Sequence, residues 1–189
     1  MRVIPVIDLK QGQVVRGIAG QRDTYRAVRS SLAQDASPAA IAAAFAQLGL
    51  QQTYVADLDA IQGAVPDWTG LEQVAQHQPQ IWLDAGVSDS GRAAELLDFA
   101  RYCRALSGVI IGLESISDED SLRNVFRIVG PERAIFSLDL LHAQILGPSA
   151  GWQGRTPLQI AELAGQIGFR RLIVLDLAAV GMGQGIAAG

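Results

Sequence analysis

An aspartate at the end of a short apolar run occurs twice in this chain. Residues 4–9 read Ile-Pro-Val-Ile-Asp-Leu and residues 135–140 read Ile-Phe-Ser-Leu-Asp-Leu, so Asp8 and Asp139 occupy matching positions. Two carboxyl groups with different pKa values can serve as acid and base in one site. The repeat therefore predicts a catalytic pair, provided that the fold brings both carboxyl groups to one cavity.

A second pair of aspartates follows in the same order. Asp57 ends the run 54–58 and Asp176 ends the run 173–177, while Gln13 and Gln144 also fall in register. These two acids are predicted to bind substrate or, alternatively, to accept hydrogen bonds from loop amides. The sequence favours two related halves, each contributing an acid to a shared site.

Strands are needed to position these acids, because each apolar, β-branched run is typical of a buried parallel strand. Six such strands are predicted, at 2–9, 53–58, 81–86, 108–112, 134–140 and 172–177. Residues 13–17 are predicted to form a small hairpin over the site. Helices are predicted between the strands, with starts at Ser37 before Pro38, at Asp67, at about Ser88, at Ser117 and at Thr156. Thr156 and Gln159 form a capping box at the last of these starts.

Six strands separated by helices fit either an open doubly wound α/β sheet or a (β/α)8 barrel of the TIM type. The duplication favours the barrel, because four strand-helix units repeated once give eight. We expect one domain over 1–189, with half-barrels at about 1–115 and 116–189. Strands 1 to 6 are readable, whereas strands 7 and 8 are missing or truncated. The open strand edges then call for cover by another segment or by self-association.

Composition narrows the class of partner. A net charge of −4 and a pI near 5.1 leave no basic surface for nucleic acid. No apolar run approaches the ~18 residues of a membrane span, and no secretory signal is recognisable. The single cysteine, Cys103, cannot form an internal disulfide. These features predict a cytoplasmic protein that binds a small molecule.

The motifs resemble those of the histidine-biosynthesis barrels, an isomerase and its sister cyclase. The resemblance rests on residues 2–9, 12–17, 55–60, 109–112 and 137–139, together with Gly151-Trp152. It implies an Amadori rearrangement of a phosphorylated aminosugar without metal or organic cofactor, in which Asp8 and Asp139 act as acid and base. It also implies that Gly86 and Gly112 donate backbone amides to a phosphate, and that Trp152 stacks on a base or sugar.

Several positions depart from the isomerase pattern. Leu175 stands where the isomerases carry a threonine, and Asp84 stands in their glycine cluster, where a carboxylate would repel a phosphate. This pattern resembles a related subgroup that occurs with genes of tetrahydromethanopterin and methanofuran one-carbon metabolism. Two hypotheses stay open: an isomerase acting on a small phosphorylated metabolite, and a divergent or non-catalytic relative. An open flavodoxin-like binding module is a third.

Overall fold

The parallel strands follow one another across the sheet in the order of the chain. A computed structural model describes residues 3–17, 24–142, 144–146 and 150–179. The strands are β1 (Val6–Lys10), β2 (Gln13–Arg16), β3 (Arg26–Ala27), β4 (Gln52–Asp57), β5 (Gln80–Asp84), β6 (Leu106–Gly112), β7 (Ala134–Leu141), β8 (Gln144–Ile145) and β9 (Leu172–Asp176). The helices are α1 (Pro38–Gln47), α2 (Leu58–Ile61), α3 (Trp68–Ala75), α4 (Ser90–Tyr102), α5 (Glu119–Val129) and α6 (Pro157–Ile167).

The parallel part of the sheet runs β1-β4-β5-β6-β7-β9 without a reversal. A doubly wound sheet reverses its strand order at a switch point, whereas a barrel adds each new strand beside the last. The fold is therefore of the TIM-barrel type, and the open flavodoxin-like alternative is wrong. Among the described residues β9 pairs in parallel only with β7. The predicted truncation of a seventh strand concerns residues 180–189, which lie outside the described residues.

Alternation along the strands separates the packed core from the site. Ile7 and Leu9 belong to the main hydrophobic cluster, while Asp8 between them lines a cavity. Leu138 and Asp139 divide in the same way on β7. Successive side chains of a strand point to opposite faces. The face packed against the helices is apolar, and the other face is left for polar groups.

The predicted helix signals mostly operate as expected. Ser37 accepts a hydrogen bond from Ala40 N at 3.2 Å, and Thr156 and Gln159 form the predicted capping box. One cap differs from the prediction by one residue, since Asp118 rather than Ser117 caps α5. The helix predicted to start at about Ser88 is α4, which begins at Ser90 with Asp89 as its cap. A carboxylate accepts the exposed amides of a first helical turn and also interacts favourably with the helix dipole.

The sequence repeat is also a structural repeat. β2 pairs antiparallel with β1 from Lys10 opposite Gln13, which confirms the predicted hairpin. β8 pairs antiparallel with β7 from Leu141 opposite Gln144. The two turns share an unusual backbone, since Gln11 and His142 have φ of 51° and 52°. Each half thus carries a hairpin beyond its aspartate-bearing strand.

Apolar side chains remain exposed where the described sheet ends. Val6 on β1 is 56 % exposed, and Val174 on β9 is 59 % exposed. Both values are high for a strand that is usually covered on both faces. Within the described residues, no helix is both long and apolar enough to cross a membrane.

Candidate active site

A cavity of about 520 Å³ collects the carboxyl ends of the parallel strands. Its apolar wall includes Val6, Ile173 and Leu175. Its polar and charged lining side chains are Asp8, Arg16, Tyr25, Ser30, Tyr54, Asp84, Glu114 and Asp139. The structure therefore brings the two predicted carboxyl groups, Asp8 from β1 and Asp139 from β7, to one cavity. TIM-barrel enzymes place their chemistry at this end of the strands.

Asp139 is held by its own strand. Its Oδ1 accepts a hydrogen bond from Ser137 Oγ at 2.8 Å, and its side chain is 6 % exposed. Its Oδ2 lies against Gly112, where an added Cβ would be 3.3 Å away. The absence of a side chain at Gly112 thus makes room for the carboxyl group. The predicted use of Gly112 as a phosphate donor stays a prediction.

Asp84 is a third carboxyl group of the cavity. Tyr54 Oη donates to Asp84 Oδ2 at 3.3 Å, and Gly86 N donates to Asp84 Oδ1 at 3.1 Å. An added Cβ at Gly112 would lie 3.7 Å from Asp84 Oδ2, so this oxygen shares a wall of the cavity with Asp139. The sequence alone predicts a structural role for Asp84, and it places Asp84 where the family has a glycine cluster. The overlooked signal is that Asp84 also ends an apolar strand, as Asp8 and Asp139 do.

Burial and negative neighbours change the protonation of this group. Desolvation, followed by the charge of Asp139, raises the pKa of Asp84 to about 7, against the lowering effect of the Gly86 amide. Burial also raises the pKa of Tyr54 well above its ordinary value, and the charges of Asp84, Asp139 and Asp8 add to this rise. At neutral pH a substantial fraction of Asp84 is therefore a neutral carboxylic acid.

The carboxylates of Asp57 and Asp176 accept hydrogen bonds from backbone amides. Asp57 Oδ1 accepts from Ala60 N at 3.0 Å and Oδ2 accepts from Asp67 N at 2.7 Å, in a side chain that is almost completely buried. Asp176 Oδ1 accepts from His142 N at 3.1 Å and from Ala178 N at 3.0 Å. Neither residue lines the cavity. The observed contacts of both residues are those of the alternative prediction, in which they accept hydrogen bonds from loop amides. They are not those of substrate-binding groups.

Trp152 lies inside the protein rather than on a loop over the cavity. Only 3 % of its surface is exposed, and its Nε1 donates to Ile116 O at 2.7 Å. It belongs to the main hydrophobic cluster. A buried indole usually satisfies its N–H in this way. The ring is therefore not placed to stack on a substrate as predicted.

Gly86 also has a different role from the predicted one. Its amide is the donor to Asp84, so in this arrangement it is not directed at a phosphate. Its φ is +63°, and an added Cβ would lie 2.6 Å from Ile61 Cα and 2.8 Å from Ala60 O. Only glycine fits a left-handed position at such close approach of two backbone segments.

The described residues contain no group of three or more His, Cys, Asp or Glu side chains arranged to hold a metal ion. Arg16 is the one basic side chain among the described residues that line the cavity. The described lining therefore offers three aspartates, one glutamate and two phenols for proton exchange, beside an apolar wall.

Comparison with known proteins points to one family. The model of the family described as "Histidine biosynthesis protein" matches residues 2–188. The protein of Symbiobacterium thermophilum named 1-(5-phosphoribosyl)-5-((5-phosphoribosylamino)methylideneamino)imidazole-4-carboxamide isomerase is 30 % identical over 94 % of this chain and 70 % of its own length. The isomerase of the same name from Syntrophomonas wolfei is 27 % identical over 98 % of this chain and 72 % of its own length. An uncharacterized protein of Methanocaldococcus jannaschii is 25 % identical over 100 % of this chain and 74 % of its own length.

Proposed function

Because the chain belongs to the histidine biosynthesis protein family, we propose that it is an isomerase that converts a phosphorylated aldose-type aminosugar into its ketose. The relatives from Symbiobacterium thermophilum and Syntrophomonas wolfei are named as isomerases of an imidazole-4-carboxamide that carries two phosphoribosyl groups. This compound is the first substrate to test.

The observation that carries the proposal is the meeting of Asp8 and Asp139 at one cavity. They come from the first and the fifth parallel strands, so nothing local in the sequence forces them together. An Amadori rearrangement needs two proton-transfer groups of this kind. One protonates the ring oxygen as the sugar opens, and the other removes the proton from C2.

The surroundings suit this chemistry. The Ser137 hydroxyl fixes the orientation of the Asp139 carboxyl group, and Gly112 leaves the space that the group occupies. Val6, Ile173 and Leu175 make one side of the cavity wall apolar. Acid and base catalysis typically contribute about 10²–10⁴-fold each. The proposed reaction requires neither a metal nor an organic cofactor.

A divergent member of the family is the second candidate. Leu175 lines the cavity at the position where the isomerase pattern has a threonine. The described lining also has one basic side chain, Arg16, against four acidic ones, which are Asp8, Asp84, Glu114 and Asp139. Such a balance disfavours an anionic substrate with two phosphates. The relation to the uncharacterized protein of Methanocaldococcus jannaschii agrees with this alternative, which predicts turnover of a different small metabolite or none.

The test is a direct assay of the purified protein with the imidazole-4-carboxamide substrate, following the ketose product by chromatography. Asp8→Asn and Asp139→Asn are each expected to lower kcat by about 10²–10⁴-fold. Asp98→Asn is the matched control, because Asp98 lies on the surface beside Arg101, at 67 % exposure of its side chain. Absence of turnover by the wild-type protein would overturn the proposal for this substrate. Full activity of both cavity variants would overturn the assigned roles.

A further inference from the structure

Asp84 and Tyr54 form a hydrogen-bonded pair that the proposed reaction does not yet use. Both side chains line the cavity, and both come from strands that lie between those of Asp8 and Asp139 in the sheet. Asp84 is 6 % exposed, and its two oxygens have different surroundings. The resemblance to known enzymes gives no role to an acid at this position, since the matching position there belongs to a glycine cluster.

We propose that Asp84 is a catalytic acid of this protein, which delivers the proton that opens the sugar ring, and that Tyr54 orients it. The inference rests on the proposed isomerase function and refines it. The ring-opening proton comes from Asp84 rather than from Asp8 or Asp139, and one of those two carboxylates accepts the single proton that C2 loses.

The geometry determines which oxygen carries the proton. Asp84 Oδ1 accepts the Gly86 amide at 3.1 Å, so a proton that is to reach a ligand in the cavity must be carried by Oδ2, which has a lone pair besides the one that accepts from Tyr54. Oδ2 is the oxygen that lies 3.3 Å from Tyr54 Oη and beside Gly112 on the cavity wall. An acid that is to protonate a bound sugar needs its proton on the oxygen that faces the cavity, within hydrogen-bonding reach of the ring oxygen.

The charges around Asp84 favour its neutral form. Tyr54 faces it from β4, Asp139 from β7 and Glu114 from the turn after β6. Asp8 on β1 acts on the same Tyr54 hydroxyl. Burial, followed by the charges of Asp139 and Glu114, raises the pKa of Asp84 to about 7, against the lowering effects of the Gly86 amide and the Tyr54 hydroxyl. The acid therefore still holds its proton at a pH where an ordinary aspartate has lost it.

The proton balance of the reaction is complete with this assignment. Asp84 gives a proton to the ring oxygen while the C1–O bond breaks, and the amine nitrogen lone pair forms the C1=N bond. A carboxylate removes the proton from C2, whose electrons form the C1=C2 bond and return the nitrogen to its neutral form. The enol then loses its hydroxyl proton to the Asp84 carboxylate, and C1 gains the proton that the other carboxyl group took from C2. Two protons leave C2 and its hydroxyl and two are delivered, so every group returns to its starting state.

The experiment is the pH dependence of kcat/KM for the wild-type protein, Asp84→Asn and Tyr54→Phe, with the imidazole-4-carboxamide substrate. Wild-type kcat/KM is expected to fall above about pH 7, because Asp84 then loses its proton. Asp84→Asn should lower kcat/KM by about 10²–10⁴-fold and abolish this decline. Tyr54→Phe removes a hydrogen bond that favours the charged carboxylate, so the decline should move to higher pH.

The outcomes separate this inference from the proposed function. An inactive wild-type protein would refute the isomerase function itself, and this inference with it. An active wild-type protein with an equally active Asp84→Asn variant would refute the role of Asp84 alone. Circular dichroism checks that both variants are folded. If kcat/KM of folded Tyr54→Phe declines at the same pH as that of the wild type, the inference is also contradicted. If Asp84 had a purely structural role, the dependence of kcat/KM on pH would be the same in the variants as in the wild type.

Discussion

Replacing Asp84 by asparagine should stabilise the protein in a strongly pH-dependent way. The pKa of Asp84 is raised from 3.8 to about 7 in the folded state. Below the lower value the group is neutral in both states and has no effect on the balance. Between the two values the unfolded chain is ionised while the folded protein keeps the proton, so wild-type stability falls by about 1.4 kcal/mol per pH unit.

The size of the effect follows from the same shift. From about pH 4 to pH 7, Asp84 should remove about 4 kcal/mol from the free energy of unfolding, and above pH 7 the loss should stay constant. Asparagine is neutral throughout, and its side chain can still accept from Gly86 N and bond to Tyr54 Oη. The stability difference between Asp84→Asn and wild type should therefore grow by about this amount across the range.

Urea unfolding followed by circular dichroism at about pH 4.5, 6, 7 and 8.5 measures this difference. Asp98→Asn is the control, because Asp98 forms only an exposed ion pair with Arg101, worth less than about 1 kcal/mol. The reasoning is refuted if Asp84→Asn shifts stability by the same amount at about pH 4.5 and about pH 8.5. A larger benefit at low pH would reverse the sign and refute it equally.

Two further predictions concern residues whose observed contacts differ from the role predicted from the sequence. Gly86→Ala should lower the free energy of unfolding by about 2–4 kcal/mol, because its Cβ would meet the Ile61 and Ala60 backbone. Gly63→Ala is the control: Gly63 also has a positive φ but has open space around it, so the substitution should cost only about 1 kcal/mol. Equal losses of the two variants in urea titrations would contradict this prediction. Trp152→Phe should cost about 1–3 kcal/mol, because the carbonyl that accepts the indole N–H loses its partner. It should leave KM of the isomerase assay unchanged, and a large rise in KM would restore a stacking role.

Much of the fold could be read from the sequence. Apolar runs with β-branched residues marked the parallel strands, and polar caps such as Ser37 and Thr156 marked helix starts, because both signals act within a few residues. Gln13 and Gln144 fall in register in the sequence repeat, and in the structure each begins the antiparallel strand that follows an aspartate-bearing strand. The order of the strands could not be read in this way, since an open sheet and a barrel use the same local patterns.

The candidate site was only half readable. An aspartate at the end of a strand looks the same in sequence whether it faces the cavity, as Asp8 and Asp139 do, or binds loop amides, as Asp57 does. The tertiary structure decides between these roles, because it alone determines which amides lie within reach of each carboxyl group. It also decided the role of Trp152, whose indole found an acceptor inside the core.

The sequence by itself determined the strand-ending acids and the repeat that relates two of them, because spacing and residue type are local properties. Only the tertiary structure placed Asp84 beside Tyr54 and within the field of Asp139. Charge interactions and desolvation depend on separations in space between strands that are distant in the chain. For this reason the raised pKa of Asp84 could not be identified before the strands were assembled.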